Sequence, residues 1–222
     1  MNTPQTQVRP KLTRDRILGA AVEIMDTEGL EAVTMRRLGR ELGVEAMSLY
    51  NHVKDKQDLL DGMVEHIMLQ FELPEGRAGS WEDRVRMMAR SFRACLRAHP
   101  SVMQIVAEHR KPMSDPRALQ PIEVALATLR EAGLSPADAA QTYKAFGGYI
   151  MGFVVQEVNG MFGGGRGAEG GFDPEAAAAA LPRDVLPNLA ELFPLVSRGD
   201  ADNDFEYGLS LLLGGLRAKL AD

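Results

Sequence analysis

Cysteine is almost missing from this chain of 222 residues, with Cys95 its single instance. One thiol makes no internal disulfide, and its place in an apolar helical pattern reads as a small buried side chain. Long apolar runs are missing too. Nothing approaches the roughly 20 uninterrupted apolar residues that span a bilayer, and the leading MNTPQTQVRPKL lacks the apolar core of a secretory signal, so a cytoplasmic protein with no membrane partner is expected. No segment sustains the period-two alternation of β-branched residues that a sheet requires, and the expected fold class is all-α. The four histidines, His52, His66, His99 and His109, are scattered. None falls in HExxH or follows a glutamate by three residues, and neither GxSxG nor CxxC occurs. Catalysis has no basis in spacing and no cofactor is indicated, which leaves a helical enzyme as the remote alternative.

What is present is concentrated in residues 34–53, TMRRLGRELGVEAMSLYNHV. Met35, Leu38 and Leu42 recur at the spacing of one helix face, and Thr34 offers its hydroxyl to the free N–H groups at the helix start. Gly43 admits the positive φ of a tight turn. Beyond it Val44, Leu49 and Val53 can pack inward, leaving Ala46, Met47, Ser48, Tyr50, Asn51 and His52 outward or at the margin. This is a helix-turn-helix pattern, and a helix presented in this way fits the major groove. Residues 13–28 add an amphipathic helix through Ile17, Ala20, Ala21, Ile24 and Met25, stopped at Gly29. Three helices are enough to close a small core.

A formal net charge of −6 runs against a DNA partner, since Lys and Arg at phosphates supply most nonspecific affinity. The charge is unevenly placed. Through Asp58 nine basic residues, Arg9, Lys11, Arg14, Arg16, Arg36, Arg37, Arg40, Lys54 and Lys56, match nine acids, so the acidic excess lies downstream. Such a module binds weakly alone, needs two copies and depends steeply on salt. The chain is also long for one three-helix module, and most of it belongs to a second domain.

Residues 55–71 read as a fourth, connecting helix with an apolar stripe from Leu59 to Phe71. Pro74, Gly76 and Gly79 break the pattern, and Ser80 is placed to cap a helix from Trp81 to about His99. Shorter helices are expected over 101–108 and 115–132. Ser135 and Pro136 then start a long helix to about Asn159, with Gly147, Gly148 and Gly152 inside it. Each glycine costs up to about 1 kcal/mol relative to alanine, so a close helix approach or a bulky ligand beside the backbone is expected. The glycine-rich stretch 160–173 has no Lys followed by Ser or Thr and no preceding strand, and reads as a surface loop rather than a phosphate cradle. Further helices are expected over 175–181, 187–196 and 204–220. The last carries Leu209, Leu212, Leu213 and Leu216, while Gly208, Gly214 and Gly215 keep one side thin. Two thin-sided apolar helices, 136–159 and 205–220, point to a homodimer.

The block VTMRRLGRELGVEAMSLYNHVKDKQDLLDGM, residues 33–63, with the helix before it and the helical remainder, resembles the TetR family of transcriptional regulators. SWEDR at Ser80, SFRACL at Ser91 and FEYGLSLLLGGLRAKL at Phe205 are similar to the C-terminal domain of its tetracycline-repressor branch. The resemblance implies an N-terminal three-helix DNA-binding domain over 11–71 and a larger helical ligand-binding and dimerisation domain over 80–220. It also implies a homodimeric repressor that leaves a palindromic operator when a small-molecule inducer binds. Two helices entering successive major grooves need centres about 34–36 Å apart, so a small shift breaks one set of contacts.

Carried over residue by residue, the resemblance puts Thr34, Arg36, Ala46, Met47, Ser48, Tyr50, Asn51, His52 and Lys56 at the DNA. Lys56 and the hydroxyls of Thr34, Ser48 and Tyr50 suit phosphate oxygens, whereas Arg36 carries the fork for guanine O6 and N7. Ala46 and Met47 depart from the branch, which has a hydrogen-bonding side chain and a proline there. Base preference should shift toward an apolar contact, such as a thymine methyl. Tyr50 and His52 have a second reading, as pins that hold the recognition helix to its own core.

The same carry-over gathers Met68, Met88, Phe92, Pro112, Ile122, Tyr143, Phe146 and Gln156 around a ligand. The branch holds a magnesium-bearing drug through a histidine and a carboxylate from different subunits, but Ala107 and Gln156 stand at those positions. No metal site is expected, although a one-residue shift would bring His109 and Glu157 into place. An apolar, methionine-bearing lining implies a largely apolar ligand. Taken singly, each of these residues is ordinary core at helical spacing, and an activator or a partner-controlled adaptor without a small-molecule pocket is the second reading.

Overall fold

The computed structural model describes residues 11–76, 79–108, 115–160, 173–197 and 200–221. His109, Pro112 and the interior of the glycine-rich stretch fall outside the described residues. Every regular element among the described residues is helical. The chain forms two compact units, the first Met1–Gln70 with Ser101–Leu119 and the second Phe71–Pro100 with Gln120–Asp222.

In the first unit α1 (Arg14–Glu28) starts where the Thr13 hydroxyl accepts the Arg16 N–H, and it buries Ile17, Leu18, Ala21, Val22, Ile24 and Met25. After a 3-10 turn at Leu30–Ala32, Thr34 caps α2 (Met35–Leu42) by accepting the Arg37 N–H, and Gly43 ends it at φ 66°. That left-handed conformation would cost a residue with a Cβ about 1–2 kcal/mol. The next helix, α3 (Ala46–Leu49), is a single turn, shorter than a helix reaching Val53. Its ladder tightens at once, with Asn51 N–H on the Ser48 carbonyl and His52 N–H on that of Leu49. Such i→i−3 bonds close the element as a 3-10-like turn. Asp55 then caps α4 (Lys56–Met68) through the Asp58 N–H.

Helix α1 packs on α2 and α4, and Leu38, Leu49, Leu59 and Met63 lose all exposed surface between them. At roughly 1.5–3 kcal/mol for each large apolar side chain, these residues can hold together elements too short to be stable alone. A second layer comes from α6 (Val102–Glu108) and the 3-10 turn Pro116–Leu119, both packed on α4, with Ile105 and Ala118 fully buried. The buried Glu65 of α4 accepts the Asp115 N–H at 3.1 Å, which seats that turn.

In the second unit Ser80 and Asp83 form a reciprocal capping box at the start of α5 (Trp81–Ala98). It packs on α7 (Gln120–Glu131) and α8 (Pro136–Asn159), which also pack on each other. Ser135 caps α8 by accepting the Asp138 N–H, with Pro136 at the first helical position. Helices α9 (Pro174–Ala179) and α10 (Pro187–Ser197) pair with each other, and α11 (Ala201–Ala221) lies on α8. The last helix begins earlier than residue 204 because Asp200 accepts the N–H groups of Asp202 and Asn203. Gly147, Gly148 and Gly152 leave α8 unbroken, and among the described residues nothing lies within 4 Å of an added Cβ at any of them. The close approach expected of these glycines is therefore not made inside the described chain. Gly208 of α11 is different, because a Cβ there would stand 2.5 Å from the Tyr149 hydroxyl.

Candidate functional site

Of the residues expected at DNA, Thr34, Arg36, Met47, Tyr50, Asn51 and Lys56 are exposed, whereas Ala46, Ser48 and His52 are half-buried. Met47 keeps 71% and Tyr50 45% of its surface exposed, so each has surface to offer a partner. The Thr34 oxygen already accepts the Arg37 N–H, which leaves its own O–H to donate. Arg37, next to Arg36, is tied to Glu28 at 2.5 Å and to Glu41 at 2.6 Å, and both carboxylates hold its guanidinium well above the usual arginine range. The positive charge of Arg37 is thus neutralised within the protein.

Two features of this surface are missing from the sequence reading. The first is Gly39, where a Cβ would lie 2.8 Å from the Val44 carbonyl oxygen. The backbone of α2 therefore meets the turn directly, and a lone glycine amid good helix formers is the signal for it. The second is Arg14, whose guanidinium meets Asp58 at 2.8 Å and also donates to the His52 carbonyl at 3.0 Å. Asp58 is held below the ordinary carboxylate range, first by Arg14 and then by the Lys54 N–H, while Asp58 in turn raises Arg14. A separation of 44 residues hides that pair from any spacing argument.

In the second unit Met88 and Phe146 are buried, and Phe92, Ile122 and Tyr143 are half-buried. They come from α5, α7 and α8, the three mutually packed helices. Phe92 meets Phe71 with ring centroids 5.9 Å apart, and burial pushes the Tyr143 phenol up. Gln156 is exposed, and Met68 belongs to α4 of the first unit. Glu157 is committed elsewhere. Arg93 grips it with Nη2 to Oε1 at 2.9 Å, Arg97 approaches at 3.2 Å, and Arg93 also reaches Asp202 at 2.7 Å. The Arg93 guanidinium lies 4.7 Å from the Phe205 ring centre and 5.3 Å from that of Phe153. A carboxylate so paired is a poor metal ligand, and neither Ala107 nor Gln156 supplies an imidazole or a carboxylate. These residues do not fit the magnesium arrangement of the tetracycline-repressor branch.

A three-helix module that turns on a left-handed glycine and exposes Met47 and Tyr50, joined to a larger helical unit, is the build of a two-domain DNA-binding regulator. Comparison with known proteins gives the family. The family model described as "Bacterial regulatory proteins, tetR family" matches residues 17–63, and "Tetracyclin repressor-like, C-terminal domain" matches residues 73–220. The HTH-type transcriptional repressor DrrR1 of Streptomyces coeruleorubidus is 33% identical, over 98% of this chain and 82% of its own length. The class D tetracycline repressor of Escherichia coli is 27% identical, over 95% of this chain and 91% of its own. Among solved structures, apo ActR from Streptomyces coelicolor aligns with a TM-score of 0.80 at 30% identity, covering 95% of this chain and 97% of that one. ActR in complex with actinorhodin gives 0.80 at 30%, covering 96% and 100%. The chain belongs to the TetR family and is a ligand-responsive, DNA-binding transcriptional repressor.

Proposed function

We propose that the protein acts as a cytoplasmic homodimer that occupies a palindromic operator and releases it when a small, largely apolar molecule enters the second domain. Residues 11–71 serve as the DNA-binding domain and 80–220 as the ligand-binding and dimerisation domain, with no catalytic step. The observation that carries this reading is the exposure of Met47 on a one-turn helix and of Tyr50 at its end. An apolar thioether and a phenol left outside a well-filled core are suited to base edges and phosphates. Arg36 reads guanine, Ala46 and Met47 meet an apolar base edge, and Thr34, Ser48, Tyr50, Asn51, His52 and Lys56 fix register on the backbone.

Met88, Phe92, Ile122, Tyr143 and Phe146 of the second unit, with Gln156, are the ligand-binding residues in this reading. Support for an apolar ligand is that Glu157, next to Gln156, is already paired with Arg93. The complexes of ActR with actinorhodin and with (S)-DNPA support an organic small molecule as the ligand class.

Selection from a random duplex library at moderate salt tests the reading. One enriched palindrome is expected, and Arg36→Ala should weaken binding to it by about 1–3 kcal/mol. No enrichment at any salt would overturn the assignment. With the palindrome in hand, an inducer is found by screening apolar compounds for operator release. Met88→Glu should abolish that release and leave operator binding intact.

A further inference from the structure

Arg14 stands outside the segment that faces DNA, yet it grips that segment's far end. We infer that Arg14, locked to Asp58 and seated by Gly62, is a positioning residue for operator binding: it sets residues 50–56 so that Tyr50, Asn51 and Lys56 meet the duplex together. The inference rests on the DNA reading given above.

Nη1 of Arg14 donates to Asp58 Oδ2 at 2.9 Å and to the His52 carbonyl at 3.0 Å. Nη2 donates to Asp58 Oδ1 at 2.8 Å and to the Asp58 carbonyl at 3.3 Å. Asp58 Oδ2 also accepts the Lys54 N–H at 2.8 Å. One ion pair thus ties the end of the recognition turn and the approach to Lys56 onto α1 and α4. Past Leu49 the chain leaves α3 through a short turn in which the N–H groups of His52 and Val53 both meet the Leu49 carbonyl, and the clamp fixes the far side of that turn. Recognition needs side chains held within about 0.5 Å of their working geometry, and this clamp restrains the backbone that carries them.

Gly62 makes the clamp possible. A Cβ there would lie 2.9 Å from Arg14 Nη2 and 2.7 Å from Leu18 Cδ2, so the ends of both side chains would have to shift and the guanidinium would lose its present seat. The fork also requires arginine, because lysine has no planar pair of donors. Side chains 38% and 27% exposed make this a pair of small worth to overall stability, so its geometric role can be separated from folding.

The test measures binding of the full-length protein to its selected operator and to a random duplex of equal length. Wild type is compared with Arg14→Gln, Arg14→Lys, Asp58→Asn and Gly62→Ala, alongside melting temperature and amide exchange of residues 50–54 without DNA. Operator affinity should fall on the order of 10- to 100-fold in Arg14→Gln and Gly62→Ala. Random-duplex affinity and the salt slope should stay within about threefold of wild type. Amides 50–54 should exchange faster at nearly unchanged melting temperature, with Asp58→Asn showing a milder form of the same pattern.

Gly62→Ala keeps every charge, so agreement with Arg14→Gln separates position from electrostatics, and Arg14→Lys should fail to rescue. A parallel loss on both duplexes with a shallower salt slope in Arg14→Gln alone would make Arg14 a phosphate contact and overturn the inference. Parallel loss in step with a lowered melting temperature would make it merely structural. Wild type that enriches no duplex sinks the DNA reading itself, whereas tight wild-type binding with indifferent variants sinks only the role of Arg14.

Discussion

A Cβ on Gly39 would stand 2.8 Å from the Val44 carbonyl oxygen and 3.1 Å from the Ala46 nitrogen, so α2 touches the turn backbone to backbone. Neither atom can swing aside as a side chain would. Gly39→Ala should therefore destabilise the first unit by about 1–3 kcal/mol and lower operator affinity in step, as thermal unfolding and duplex titration would show. An unchanged unfolding midpoint would mean that the turn has room to spare. Asp58 gives a second residue-level prediction. Its folded pKa is lowered by Arg14 and the Lys54 N–H, so the unfolded chain takes up the proton more readily. The stabilisation is complete above the unfolded value near 3.9 and disappears as pH falls through the lower folded pKa. Because the pair is partly exposed and screened by solvent, the effect is under about 1 kcal/mol. The melting difference between wild type and Asp58→Asn should be present at neutral pH and close as the pH falls through the lowered folded pKa; a gap that stays open in acid would contradict the pairing. Thr34 and Gly43 are legible in the sequence because each acts on its immediate neighbours. Gly39, Asp58 and Arg14 are not, because their partners become neighbours only after the chain folds.

Helix starts carry the clearest local signal in this protein, since a short polar side chain must meet N–H groups two or three residues ahead. Thr13, Thr34, Asp55, Ser80 and Ser135 all do so at or within a residue of the expected start. Ser80→Ala should remove the hydroxyl half of the capping box, leaving the backbone N–H of residue 80 on Asp83, and cost the second unit about 1 kcal/mol, read as a lower unfolding midpoint with helix content kept. A midpoint unchanged within error would show that Asp83 suffices to cap α5 by itself. Helix ends and very short helices are less legible. In α3 the inward pattern of Leu49 and Val53 fits a longer helix, but the carbonyls of Ser48 and Leu49 accept i→i−3 bonds from Asn51 and His52, although the Val53 N–H still reaches the Leu49 carbonyl. Apolar spacing reports which side chains are buried, and both are; it does not report how the backbone travels between them.

The largest question at the scale of the whole molecule is what covers the glycine-bearing faces of α8 and α11. Tyr207 keeps 70% and Leu211 61% of its surface exposed, and nothing among the described residues lies within 4 Å of a Cβ added at Gly147, Gly148, Gly152, Gly214 or Gly215. Apolar side chains beside thin helix faces mark a surface built for another protein surface, and a second copy fits the need of a charge-neutral DNA module to act in pairs. Leu211→Glu should convert a dimer into a monomer of unchanged helix content, as sedimentation and circular dichroism would show. Coupling two modules raises affinity by about 10²–10⁴ over one, so the monomer should lose that factor on the full palindrome while binding an isolated half-site as weakly as wild type does. Inserting five base pairs between half-sites turns them to opposite faces of the duplex, and should cost wild type the same factor and the monomer nothing. Wild type that sediments as a monomer yet holds the palindrome tightly would break the link between these helix faces and operator recognition.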